Sequence, residues 1–386
     1  MSSSTTTDSH KILACVTGAS GFIGAAVALR FLDLGHSVRL PLRGQAQLDA
    51  WTSKYGSQYG KRLEVVLLGG GIEQDGVFDD IARGCEVVVH VASPAVFDIK
   101  VDAETDTLKP ALRGTLSILE SAKKAGTVKS FVYTSSLAAY LTREQMANAD
   151  KNTVIDAQRW NETTYEEAAE MSTANGPEVY ASSKALAEKS AWDFVKQPDV
   201  HFSLSTSASP PSTLTFSADF SSYSIAPAFT LGRHPAPTIK TLADMRGHSS
   251  LGIMLEQLWD KKEFSPLESP YDPKLFVGID SVAQAHVSAA LNSSISSGKR
   301  YLLAAQAESW QNVLARMVEV EPELEKHLPD VPKEGRLSRE EWEEKLFRFE
   351  GGEAENDLQF KYDPFDEYVA AFAKQVAELA RSGGEL

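Results

Sequence analysis

The sequence predicts an α/β chain, a doubly wound parallel sheet with a smaller C-terminal lobe. Three observations predict it. Short β-branched apolar runs alternate with stretches of helical period from the N-terminus onward, the signature of βαβ units. The first junction between such a run and a helix carries Gly18, Gly21 and Gly24 in a G-x-x-G-x-x-G spacing. The length of 386 residues, at 42% hydrophobic and 24% charged, allows one large core with a second lobe.

Each element follows in order. MSSSTTTDSH, residues 1–10, reads as a disordered N-terminus; it lacks the basic and apolar regions of a secretory signal. No apolar run approaches the roughly 20 residues of a membrane span, so the expected address is cytoplasmic. KILACVT is the first strand; Ile23, Val27, Phe31 and Leu34 then recur at helical spacing until Gly35 stops the helix. SVRLPL is a second strand, expected to end near Pro41, because proline donates no ladder hydrogen bond. RLEVVLL and EVVVHVA continue the sheet, followed by a helix through TLKPALRGTLSILESAKKAG, the strand SFVYTSS and the helix ASSKALAEKSAWDFV. Residues 11–200 thus form the sheet-and-helix domain. Ser205 to Ser224 holds 11 Ser/Thr among 20 residues and one charge, and reads as a flexible insertion between HFSLS and SIAPAFTLG. Residues 225–386 are expected to supply the last sheet strands, interleaved with the smaller lobe and acidic C-terminal helices.

Charge narrows the function. With 38 Lys+Arg against 53 Asp+Glu the net charge is −15, and residues 301–386, with 20 acids and 10 bases, hold −10 of it. Such a surface argues against nucleic acid or anionic membrane as partner, since phosphate binding needs clustered cations. A small-molecule substrate and a monomer or homodimer are the expectation. Cys15 and Cys85 each lie in apolar runs, as buried thiols do, and no metal site is expected.

Two constellations carry chemistry. At the glycine turn TGASGFIG a pyrophosphate can approach backbone closely, and the following helix presents N–H groups and the positive end of its dipole. A glycine triplet alone is weak; its place between a strand and a helix raises its value. In Tyr180-Ala-Ser-Ser-Lys184 the i, i+4 spacing sets phenol and ammonium on one helix face, and the ammonium is expected to acidify the phenol toward neutral pH. A phenol so tuned is a general acid for a carbonyl oxygen. The strand end Thr134-Ser135-Ser136 would hold a serine hydroxyl at the crevice where such sheets bind ligands.

VTGASGFIG, HVASP, FVYTSS, YASSK and VGIDSVAQAHV, in this order, resemble the extended short-chain dehydrogenase/reductase superfamily, and within it the dihydroflavonol-reductase-like and fungal aldehyde-reductase branch. The likeness runs from about Lys11 to the Tyr301 strand. It implies a Rossmann-type domain, a substrate lobe and hydride transfer from a nicotinamide to a carbonyl. By position it implies Ser136, Tyr180 and Lys184 as catalytic residues, with Ser135 the neighbouring candidate. It implies cofactor contacts from Thr17, Gly18, Ser20, Gly21, Phe22, Ile23 and Gly24, from Ala92, Ser93 and Pro94, from Lys184, and from Pro227 near the nicotinamide.

SVRLPLRGQ has no acid for a ribose 2′-OH, and Arg43 matches a 2′-phosphate-binding arginine, with Arg39 the alternative; NADP is therefore the expected cofactor. Where the family carries an acid beside the adenine, LLGGGIEQ offers Gly70 and Gly71. His90 and His286 read as core histidines, and Trp160 either packs or borders the substrate pocket. The expectation is an NADPH-dependent carbonyl reductase; the alternatives are a nucleotide-sugar epimerase or dehydratase that retains NAD, and a dinucleotide-sensing regulator without catalysis.

Overall fold

The structure, a computed structural model, describes residues 10–94, 98–142, 144–145, 148–149, 152–197, 199–200, 221–246, 249–261, 273–292, 298–329, 348–349 and 352–386. Its strands are β1 (Leu13–Thr17), β2 (Ser37–Leu42), β3 (Leu63–Leu67), β4 (Val87–His90), β5 (Ser130–Thr134), β6 (Val154–Ile155), β7 (Ser221–Pro227), β8 (Phe229–Leu231), β9 (Pro273–Gly278), β10 (Lys299–Leu303), β11 (Gln306–Ser309) and β12 (Arg348–Phe349). Its helices are α1 (Phe22–Asp33), α2 (Gln45–Tyr59), α3 (Asp79–Ala82), α4 (Lys109–Ala125), α5 (Tyr165–Ala169), α6 (Gly176–Val195), α7 (Leu242–Met245), α8 (Ser249–Leu258), α9 (Ile279–Leu291), α10 (Trp310–Val320), α11 (Gly352–Leu358) and α12 (Phe365–Gly383).

Seven strands form one sheet in the order β10-β7-β5-β4-β1-β2-β3. Every neighbouring pair is parallel. The order reverses beside β1, so the first crevice at the carboxyl ends of the strands opens between β1 and β4, where folds of this kind bind ligands. A second sheet, β11-β9-β8, pairs β8 with β9 in parallel and β9 with β11 antiparallel. β7 and β10 belong to the large sheet and β8, β9 and β11 to the small one, so the chain crosses between the two. Against the small sheet pack Trp310, which meets Phe229 and Phe276 edge-on at 4.9 and 5.3 Å, and Phe365 of α12, 6.3 Å from Phe276.

β2 ends near Pro41 as expected, at Leu42, although Pro41 itself lies inside the strand, between β1 and β3. Ser37 N–H donates to Ile12 on the β1 side, whereas Leu42 C=O accepts from Leu68 N–H on the β3 side. By the same alternation the missing donor of Pro41 faces β1, and the β1–β2 pairing stops at Cys15↔Arg39 although β1 runs on to Thr17, as a lost ladder donor requires. α2 has no counterpart in the sequence reading. Of its fifteen residues only Trp51 and Tyr59 are buried, and so narrow an apolar stripe leaves little period to read. The Ser-rich segment ends earlier than its composition suggests: Ser221–Ser224 belong to β7, where they face Ser130–Tyr133 of β5, while 205–220 lies outside the described residues. The serines there serve a strand covered by helices, since Tyr223 and Ser224 are buried.

Candidate active site

The glycine turn is shaped by backbone contact. Gly18 has φ +72°, and a Cβ there would stand 2.8 Å from Ala92 N; a Cβ on Gly24 would stand 2.3 Å from Gly18 O. Both glycines are needed to close the turn on itself and on the loop after β4. Gly21 is different, because its Cβ would meet only Gly18 O at 3.4 Å, an ordinary contact. Gly21 is also the N-cap of α1, which has neither a side-chain cap nor an acid in its first turn. An uncapped, acid-free helix start behind a glycine that the protein does not itself require fits a pyrophosphate.

Thr17 organises the wall of this crevice. The Val91 and Ala92 N–H groups both donate to its Oγ1 at 3.1 Å, so its own proton goes to His90 Nδ1 at 3.0 Å. Thr17 is buried and acts by setting the half-buried Ala92-Ser93-Pro94 loop. His90 stacks on Tyr133 at 6.1 Å, and burial, helped by the charge of Lys184, pulls its pKa down to about 3. It is a neutral core histidine. Phe22 is buried and stacks on His234 at 5.0 Å, so it serves as a wall; Ser20 and Ile23 stay half-buried beside it.

The end of β5 gathers the other candidates. Thr134 faces α9, where its hydroxyl meets His286 Nε2 at 2.9 Å; His286 Nδ1 in turn donates to Val282 O at 2.7 Å. Burial holds His286 at about 4, so it too is neutral. The Thr134 carbonyl accepts from Lys184 Nζ at 2.6 Å, and the same ammonium lies 5.1 Å from the Tyr133 ring centroid. Burial lowers Lys184 to about 8, with Glu188 pulling the other way.

The two serines part. Ser135 Oγ donates to Glu188 Oε2 at 2.6 Å, turned into the protein. Ser136, half-buried, accepts from Ala138 N–H at 3.2 Å and hydrogen-bonds Tyr180. Ser136, Tyr180 and Lys184 are therefore brought together at one strand end. One expectation is corrected: burial raises the Tyr180 phenol above its ordinary value, and the Ser136 hydrogen bond, not Lys184, opposes it. Lys184 is held on a backbone carbonyl, where its charge is partly absorbed.

Sequence reading missed Glu188 and Arg300. Arg300 of β10 meets Glu188 with both prongs, Nε to Oε1 at 2.7 Å and Nη2 to Oε2 at 3.1 Å, and the pair is sealed from solvent. Its signal was an acid one turn past Lys184 on an otherwise apolar helix face, ALAEKSAW, and a cation inside the strand KRYLL. Trp160, half-buried, packs against cations: the Arg300 guanidinium lies 3.6 Å from its ring centroid and the Lys189 ammonium 5.5 Å.

Arg43 and Arg39 also part. Arg39 points between strands, ion-paired to Glu64 of β3 at 2.9 Å and donating to Ile81 O and Arg83 O at 2.8 and 2.7 Å. It is tied into the sheet, which removes it as the alternative phosphate donor. Arg43 stands exposed just past β2, and Gln47 holds its backbone N–H at 3.2 Å. Past β3, side chains at Gly70 and Gly71 would collide with the Gln74 amide and the Glu73 carboxylate, which fill that space instead. Pro227 closes β7 opposite Leu303, two residues beyond Ile225, the partner of Thr134.

A family model described as the NAD dependent epimerase/dehydratase family matches residues 14–210. The chain belongs to this family. Among its relatives, an uncharacterized oxidoreductase of Schizosaccharomyces pombe is 31% identical over 287 residues, 74% of this chain and 76% of that one. Dihydroflavonol 4-reductase of Arabidopsis thaliana is 34% identical over 217 residues, 54% of each chain. The chain thus spans about half the length of the dihydroflavonol reductases it matches. Gre2 of Candida albicans, crystallised in complex with NADPH, superposes with a TM-score of 0.75 at 25% identity, over 95% of this chain and 99% of that one. Family membership accounts for the glycine turn and the seven-strand sheet together.

Proposed function

We propose that the protein is an NADPH-dependent carbonyl reductase acting on aldehydes or ketones. The observation that carries the reading is the meeting of Ser136, Tyr180 and Lys184 at the carboxyl end of β5, on the same sheet edge as the glycine turn. The reductase names of its relatives and the NADPH held by the Candida albicans protein support it.

Gly18 to Gly24 and the first turn of α1 would hold the pyrophosphate, Arg43 the 2′-phosphate, and Lys184 the nicotinamide ribose, with Ala92 to Pro94 and Pro227 along the walls. When bound, the dinucleotide supplies the hydride that converts a carbonyl carbon to an alcohol carbon. Ser136 accepts from Ala138, so its own proton is free to point at the substrate oxygen or at Tyr180. Tyr180 holds its proton at neutral pH because burial keeps the phenol neutral, and it releases that proton to the oxygen as negative charge builds there. Lys184 places a positive charge one helical turn from the phenolate that results.

The test is a panel of aldehydes and ketones assayed by loss of NADPH absorbance. Turnover of at least one carbonyl is expected; NADPH binding without turnover of any would refute the reading. Purification with tightly bound NAD and no need for added cofactor would favour the epimerase alternative.

A further inference from the structure

The ion pair of Glu188 and Arg300 stands behind the site and is used by no step above. Glu188 is fully buried and Arg300 is 6% exposed. A buried ion pair of this kind is no better for stability than well-packed apolar side chains, because desolvation cancels most of the attraction. Its geometry, however, joins four parts of the chain. In the register of the sheet Tyr133, Ser224 and Arg300 are opposite one another on β5, β7 and β10, so the guanidinium lies on the face that α6 covers. From there it grips Glu188 of α6 with two prongs. Nη1 donates to Ala157 O at 2.7 Å and Arg159 O at 2.8 Å, and the Trp160 and Tyr140 rings lie 3.6 and 4.2 Å from Cζ. The carboxylate accepts Ser135 Oγ at 2.6 Å and Trp192 Nε1 at 3.3 Å.

Ser135 is the residue between the two that matter. Thr134 before it offers the carbonyl that holds Lys184, and Ser136 after it holds Tyr180. Glu188 lies one turn past Lys184 and two past Tyr180 on the same helix. The carboxylate therefore ties the strand end and the catalytic helix at one point, and Arg300 ties that point to the segment around Trp160. Asn161, buried, completes the tie by donating its N–H to Ala139 O at 2.8 Å.

We propose that Glu188, clamped by Arg300, is a positioning residue that sets the spacing of Ser136 against Tyr180 through the Ser135 hydroxyl; the proposal rests on the reductase reading. A one-ångström error in such spacing lowers turnover without altering ground-state binding.

The test uses the full chain and Ser135→Ala, which removes one hydroxyl and leaves the ion pair whole, with Ser135→Thr as the conservative variant. Turnover of a carbonyl by Ser135→Ala should fall about 10-fold, with KM and the NADPH dissociation constant within about 2-fold, and Ser135→Thr should recover most of it. Amide hydrogen exchange without any cofactor should speed up at residues 134–140 and stay unchanged in β1 and β4. Unchanged turnover overturns the proposal, and so does unchanged exchange at 134–140. Exchange that rises throughout the sheet, with a matching fall in melting temperature, also overturns it, because the tie would then be only structural. Wild-type protein that reduces no carbonyl refutes the reductase reading, and the exchange measurement still decides the tie.

Discussion

Replacing Arg43 with Ala is expected to change which nicotinamide the protein prefers while leaving its fold alone. Arg43 is exposed and follows β2 directly, where an incoming 2′-phosphate would meet its guanidinium. That phosphate carries close to −2 at neutral pH, and a guanidinium can give it two parallel charge-assisted hydrogen bonds. A hydrogen bond to a charged group contributes about 1.5–3 kcal/mol, equivalent to about a 10- to 150-fold preference for NADPH over NADH. Exposure and salt screening place the expected value toward the lower end. Arg39→Ala is the internal control. It removes the ion pair with Glu64 and two hydrogen bonds to the backbone at Ile81 and Arg83, so it should lower the melting temperature and leave the NADPH to NADH ratio unchanged. Both cofactors are titrated into wild type and both variants at low and moderate salt. Equal wild-type affinities, or an Arg43→Ala protein that loses NADPH and NADH alike, would refute the argument.

Four further outcomes are expected. Tyr180→Phe keeps the ring and removes the proton, so turnover should fall by about 10²-fold or more with NADPH affinity unchanged; retained turnover would end the proposed role. Because Lys184 lies at about 8, wild-type reduction should also decline above that pH as the ammonium is lost. Gly24→Ala forces a Cβ to 2.3 Å from Gly18 O and should cost about 1–3 kcal/mol of stability, whereas Gly21→Ala should melt like wild type and lose dinucleotide affinity; the same melting and binding measurements on both variants check this. His90 and His286 titrate at about 3 and 4 in the folded chain against 6.5 ordinarily. Below 6.5 the unfolded chain takes up protons that the folded one refuses, so their stability is complete above 6.5 and drains as pH falls toward 4. The slope is about 1.4 kcal/mol per pH unit for each histidine, and His286→Gln should flatten the melting profile by one share; a profile that keeps its full slope would contradict it.

Most of the fold is legible in the chain because its signals are local. A β-branched run such as KILACVT, a stop at Gly35, or Tyr180 and Lys184 one turn apart depend on neighbours within a few residues, and composition carries them. The alternation of strands and helices and the glycine turn follow from that spacing. What composition carries poorly is any element whose reason lies elsewhere in the chain. α2 shows little apolar period, because just two of its residues are buried. Ser221–Ser224 reads as flexible linker by residue type, yet β5 and β10 supply the ladder bonds that make it a central strand. Pro41 reads as a strand end, and β2 does end one residue later, but only the fold shows that its pairing with β3 carries through Pro41 while its pairing with β1 stops at Arg39.

The site divides in the same way. The resemblance puts the candidate serine at Ser136 with Ser135 beside it, and packing tells the two apart, because Ser135 turns toward a carboxylate 53 residues along the chain. Spacing likewise leaves Arg39 and Arg43 as rivals until Glu64 on the adjacent strand claims Arg39. The Tyr180 pKa depends on burial and on the Ser136 hydrogen bond, and neither is a property of the i, i+4 interval. Glu188 and Arg300 are 112 residues apart, and nothing within a helical turn of either announces the other. Local sequence selects backbone conformation through short-range sterics and hydrogen bonding, whereas the protonation and pairing of buried charges are set by whatever the fold carries into van der Waals contact with them.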